Sequence, residues 1–237
     1  MTKILKVAVV VISLGVLANA DTVVVFGSRA DQNPTDIIDW TQLGAALTSL
    51  TTPQFVTTFS GNLALAGNIN GNNFLRVDEG NGWTGNFDFG ESLVWTGAGS
   101  SSAGGSSSAG PGPFALVLQN PVGSFGFSIQ TDEYGPFAVD VQALDASNNV
   151  LFDHIFNGFS TNLENGSALF VGLGDATGVN ISQILISTTS QDSFFANDFA
   201  IDDPSFTYVT ATPEPRSMAV LLSALLAVAA IVRRSKK

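Results

Sequence analysis

Along most of the chain, apolar and polar positions alternate in short runs that are punctuated by Gly, Asn, Asp and Pro. Segments rich in Val, Ile, Phe and Thr recur at Thr22 to Phe26, Gln54 to Phe59, Asn73 to Val77, Ser92 to Thr96, Phe114 to Gln119 and Ser124 to Gln130, then at Phe137 to Leu144, Val150 to Phe156, Ala168 to Gly172, Ile181 to Thr188 and Asp198 to Val209. β-Branched and aromatic side chains suit a pleated, half-buried surface, and the breakers between them supply turns, so each segment predicts a strand. Alternation places Phe125, Phe127 and Ile129 on one face of one strand, and Phe137, Val139 and Val141 on one face of the next, opposite Asp140 and Gln142. Helical periodicity is confined to a turn or two within Asp36 to Leu47. Many short strands and almost no amphipathic helix predict an all-β fold, a single β-sandwich or jelly roll. Gly97 to Pro113 (GAGSSSAGGSSSAGPGP) is flexible by composition. It reads either as an interdomain linker or as a long loop between two strands of one sandwich. The loop is favoured, because only about 75 residues precede it and few of their segments have strand character.

Both ends break this pattern. Lys3 and Lys6 precede an apolar stretch from Val7 to Ala18, and Ala18-Asn19-Ala20 offers a small-x-small site before Asp21. That is the grammar of a secretory signal peptide, with the Sec translocon and signal peptidase as its expected partners and cleavage after Ala20. An uncleaved anchor is the alternative, but twelve apolar residues are few for a span. At the other end a Pro-Glu-Pro triplet is followed by a small-and-apolar run from Met218 to Val232, then by Arg233, Arg234, Lys236 and Lys237. As a helix this run reaches about 22 Å, short of a hydrocarbon core of about 30 Å. The basic residues should stay cytoplasmic, which puts everything before Pro213 on the far side of the membrane.

The triplet Pro213, Glu214 and Pro215, the hydrophobic transmembrane run and the basic end with Arg233 and Arg234 together resemble the PEP-CTERM sorting signal. The resemblance implies recognition by an exosortase, brief residence in the inner membrane of a Gram-negative-type bacterium, removal of the tail, and delivery to the cell surface or extracellular matrix. Exopolysaccharide is the neighbour it implies there. Phe74 to Thr96, the strands from Pro121 to Phe156, and Asp198 to Phe206 (DFAIDDPSF) resemble a recurrent ectodomain of such proteins. That resemblance implies a galactose-binding-like jelly roll, flanked by an N-terminal signal helix and a C-terminal hydrophobic helix.

Setting both signals aside sharpens the charge. Residues 21–212 hold 19 of the 20 acidic residues and, of the nine basic ones, only Arg29 and Arg76, a net of −17 without a lysine. Phosphate binding needs clustered Lys and Arg, so nucleic acid is excluded as a partner. About 190 residues suit one domain, and eighteen Phe, all beyond residue 25, supply its core. The chain has no cysteine, which removes disulfides, thiol chemistry and cysteine zinc sites.

Three chemistries compete for this body. A structural calcium is the first, because the acid supply is large and calcium takes carboxylate and carbonyl oxygens. By analogy with sandwiches of this look, the ion would sit where an early loop meets the final strand, pairing Asp78 and Glu79 with Asp202 or Asp203. The alternative is that these are solvated loop acids. Carbohydrate binding is the second: Trp83 lies in Gly80-Asn81-Gly82-Trp83-Thr84-Gly85-Asn86, where an exposed ring would be rimmed by Asn81 and Asn86. The alternative for Trp83 is a loop aromatic folded back onto the sandwich. Hydrolysis is the third and weakest. His154, the sole histidine, shares a strand face with Phe152 and Phe156, which suits a partly buried residue better than a general base, and no Gly-x-Ser-x-Gly elbow is present. The reading that results is an exported, exosortase-processed, non-enzymatic protein, structural or adhesive in an exopolysaccharide or biofilm matrix. A lectin-like module and a secreted hydrolase are its rivals.

Overall fold

The computed structural model describes residues 23–97 and 112–208. The signal peptide, most of the Gly/Ser-rich segment, and the sorting segment with Pro213, Glu214, Pro215, Arg233, Arg234 and the 218–232 run lie outside the described residues, as do both flanking helices expected there. Among the described residues no helix is long and apolar enough to cross a membrane.

In chain order the strands are β1 (Val23–Phe26), β2 (Asp36–Ile37), β3 (Thr48–Leu50), β4 (Gln54–Thr57), β5 (Leu63–Asn68), β6 (Phe74–Glu79), β7 (Gly82–Trp83), β8 (Ser92–Trp95), β9 (Phe114–Val122), β10 (Ser124–Thr131), β11 (Gly135–Leu144), β12 (Val150–Ser160), β13 (Leu169–Asp175), β14 (Ile181–Ser190), β15 (Phe199–Ile201) and β16 (Ser205–Thr207). They form two sheets, an all-β sandwich. One runs β1-β13-β10-β15-β8-β6-β3, with β16 on β10, β2 on β16 and β7 on β6; the other runs β12-β11-β14-β9-β5-β4. Strands before and after Gly97 to Pro113 pair with each other, β8 with β15 and β5 with β9.

The alternation read from the sequence fills the space between the sheets. Phe125, Phe127, Ile129, Val139 and Val141 are wholly buried, and Phe137 nearly so, while Asp140 and Gln142 face outward. Phe74 meets Phe114 edge-on at 5.6 Å. Burial of each such side chain contributes about 1.5–3 kcal/mol, which is what replaces disulfides here. His154 lies half-buried with Phe152 and Phe156, its ring 4.8 Å from that of Phe156.

One expectation is met in a modified form and two are corrected. The helical hint in Asp36 to Leu47 resolves into β2 and a single 3-10 turn (Trp40–Leu43) capped by Asp39, whereas a one-turn helix α1 (Arg29–Gln32) forms earlier, capped by Ser28. β5 is a full strand although its Leu, Ala and Gly composition carries no β-branched signal; it is held between β4 and β9. Finally, Asp198 to Val209 is two strands, because Pro204 has no N–H for the ladder and the chain bulges at Asp202-Asp203-Pro204. Across that bulge the partners step from Ile129↔Ile201 to Gly126↔Ser205, so three residues of the outer strand oppose two of β10.

Candidate functional site

The bulge between β15 and β16 turns Asp202 inward. Its N–H donates to the Ser128 carbonyl at 3.0 Å, and its carboxylate accepts from the Ser128 N–H, so side chain and backbone of one residue bridge the gap in the ladder. The second carboxylate oxygen takes the Arg29 guanidinium at 2.7 Å. Arg29 is delivered by α1, whose Gln32 exchanges hydrogen bonds with Ser205 of β16 (Ser205 Oγ to Gln32 Oε1 2.6 Å, Gln32 Nε2 to the Ser205 carbonyl 3.1 Å). Burial pushes the Asp202 carboxyl up, against the pull of Arg29 and the Ser128 N–H, and the nearby Glu91 charge adds to the rise.

Trp40, wholly buried, joins this cluster to a second one. Its indole N–H donates to the Asp202 carbonyl at 2.7 Å and its backbone N–H to Asp203 Oδ1 at 2.9 Å, while its carbonyl accepts from Arg76 Nε at 3.3 Å. Arg76 in turn holds Asp78 and, at 2.6 Å, Ser92 Oγ. Burial raises Asp203 to about 6, partly offset by the Trp40 N–H. The early segment therefore does meet the final strands, as the calcium hypothesis required, but its cations are guanidinium groups. Asp78 is bound to Arg76, Asp202 to Arg29 and Asp203 to Trp40, while Glu79 turns into the interior to accept the Gly85 N–H at 2.7 Å. The four acids do not converge, and among the described residues no group of three or more His, Cys, Asp or Glu is placed to hold a metal ion. The arrangement does not fit calcium, and that expectation is corrected.

For Trp83 the structure bears out the alternative, a ring folded back onto the sandwich, and not the exposed carbohydrate-binding ring. Gly80 and Gly82 adopt positive φ and fold the turn back, so that β7 lies parallel to β6 with Trp83 beside Glu79. Its ring is 4 % exposed and packs edge-on against Trp95 at 5.6 Å, in a small core with Val77, Phe87, Leu93 and Ala200. No face is left for a pyranose ring. Asn86 is buried as well, donating to Ser167 Oγ at 2.7 Å and accepting the Thr161 N–H, and only Asn81 stays exposed, in a tight backbone turn with Asp78. The exposed aromatic of this region is Phe89, whose ring lies over Gly80.

Another buried carboxyl closes the end of β8. Trp95 donates its indole N–H to Asp198 at 2.6 Å. A Cβ on Gly97 would stand 1.9 Å from an Asp198 oxygen, so any larger residue there would have to displace that carboxylate. Burial raises Asp198 to about 7; Trp95 opposes the rise and the Asp132 charge adds to it. Arg29 stood out in the sequence only as one of the body's two basic residues and Asp198 only as one of the acids around the last strand; their pairings, and the role of Trp40, were not readable because the partners lie far away along the chain.

The surface contrasts with this interior. On the outer face of the six-stranded sheet Phe55, Leu65 and Val117 stand opposite one another on β4, β5 and β9. Phe55 is 75 % exposed. With Leu63 they line a shallow apolar groove of about 270 Å³. At the opposite edge of the sheet, Ile155 and Phe159 of β12 are 62 % and 63 % exposed.

No family model matches the chain, and no curated protein matches it. Among solved structures it is similar to a DUF4465 family protein from Bacteroides caccae ATCC 43185, with 10% identity and a TM-score of 0.42 over 74% of this chain and 100% of that one. A likeness of that size carries nothing over to this chain.

Proposed function

We propose that the protein is an exported, exosortase-processed and non-enzymatic component of the cell surface or extracellular matrix, with the β-sandwich as the delivered part. The observation that carries this reading is the order along the chain. A signal-peptide pattern ends at Ala20, the described strands run from Val23 to Thr207, and the Pro213-Glu214-Pro215 tail follows. Each described strand pairs with another described strand between those limits. The internal use of its acids supports a structural role. Asp36, Asp198, Asp202 and Asp203 each accept hydrogen bonds that tie distant segments together. In this reading the sandwich is a jelly roll of the galactose-binding kind, the Sec route exports it, the basic tail pauses in the inner membrane, and exosortase cleavage releases the body into a polysaccharide-rich matrix of a Gram-negative-type bacterium.

Intact mass of the protein from cells with and without the sorting protease tests the proposal. The expected mature species begins at Asp21 and lacks the residues after the Pro-Glu-Pro triplet only where the protease is present. A species still ending at Lys237 in protease-positive cells overturns it.

A further inference from the structure

The edges of the two sheets are unequal. β1, β3 and β4 have four, three and four residues, and β4 follows Pro53, all of which blunt an edge against further pairing. β12 is different: eleven residues, Val150–Ser160, with no Pro and no Lys, paired among the described residues with β11 alone. Its other side presents a row of backbone N–H and C=O groups. Its outward side chains include Ile155 and Phe159, large apolar groups left in water.

We propose that β12 is a homophilic edge: two copies pair antiparallel about Ile155 and join their six-stranded sheets into one continuous sheet. The charge pattern of β12 selects both the partner and the register. Asp153 is the strand's single acidic residue, and the strand has no Lys or Arg. Centred on Asp153, two copies would set carboxylate against carboxylate. Centred on His154, they would set Asp153 against Ile155. Centred on Ile155, Asp153 faces Asn157 of the second copy, an amide that donates to it, and Ile155 faces Ile155. Facing pairs of this kind stabilise a ladder, whereas like charges directly opposite destabilise it. The same register sets His154 against Phe156, repeating across the interface the ring contact the two make within one chain. A two-fold interface needs such a self-complementary strip. Repulsion between two bodies of net charge −17 opposes the pairing. Salt screens it beyond about 10 Å at 0.1 M, so association strengthens with ionic strength. The inference rests on the β12 edge and not on the route of export, so the tail-processing experiment leaves it untouched.

Sedimentation velocity of the full-length protein over a concentration series, at low and high NaCl, tests it. The wild type should approach twice the monomer mass as concentration and salt rise, and Ile155→Asp, which sets two carboxylates opposite each other, should remain monomeric. Association through the apolar tail would be indifferent to this substitution. Because the chain has no cysteine, a single introduced thiol gives a second reading. Under mild oxidation Ile155→Cys should link to itself, while Phe89→Cys, more exposed than Ile155 but outside β12, should not. A wild type that stays monomeric throughout, an Ile155→Asp variant that associates like the wild type, or equal cross-linking at both cysteines overturns the proposal.

Discussion

Asp198, Asp202 and Asp203 set how the protein answers to acid. Burial raises all three, Asp198 to about 7 and Asp203 to about 6, so the folded state binds protons there more tightly than the unfolded chain does. Stability must then increase as pH falls from about 8 towards the unfolded aspartate range near 4. Two groups act the other way. Burial alone would raise Asp36, but hydrogen bonds from Thr58, Ser60, Asn62 and Ile37 outweigh it and hold the carboxyl low, and exposed Asp145 is lowered by Asn149. Their contribution is present above the ordinary aspartate range and is lost as they protonate below it. Thermal melts at constant ionic strength should show a midpoint higher at pH 5 than at pH 8, by about 5 °C or more, with a decline below about pH 4. A midpoint that falls steadily from pH 8 to pH 5 contradicts this account.

At the scale of elements, α1 is the dependent one. A four-residue helix has no stability of its own, so its place comes from Arg29 on Asp202 and Gln32 on Ser205, more than 170 positions along the chain. Arg29→Ala leaves the buried Asp202 carboxylate without its cation. Arg29 is about a third exposed, which tempers the loss to roughly 1–3 kcal/mol, read as a lower denaturant midpoint with the slope unchanged. Asp202→Asn in the same background should restore part of it; a midpoint unchanged by Arg29→Ala would remove the pair from the fold's support. The same distinction marks what the sequence made legible. β10 and β11 were readable because Phe125, Phe127, Val139 and Val141 write their burial in period two. β5 was not, since Leu and Ala suit helix and strand alike and only its neighbours decide. The meeting of an early segment with the last strands was anticipated, but not that arginines would supply the charge there, because Arg29 and Asp202 carry no local signal of each other. For Trp83 the flanking glycines left both an exposed and a folded-back ring open, and the positive φ of Gly80 and Gly82, both ahead of it, is what folds the ring inward.

At the scale of the whole molecule, the charge asymmetry between body and ends has the further effect that both of the body's cations are committed internally. Arg76 is buried in mid-sheet on β6, and Arg29 is clamped in α1. A protease that cuts after lysine or arginine must draw several residues of extended chain into its cleft. The two bonds it could attack, Arg29-Ala30 and Arg76-Val77, lie within a helix and a sheet. Native trypsin digestion should therefore leave residues 23–208 uncut, while the heat-unfolded chain is cut after Arg29 and Arg76. Cleavage at either arginine in the native protein, at the rate seen when unfolded, would refute this. Were the body delivered outside a cell as proposed, where secreted hydrolases are shared by every neighbour, it would be poor food for a whole class of them.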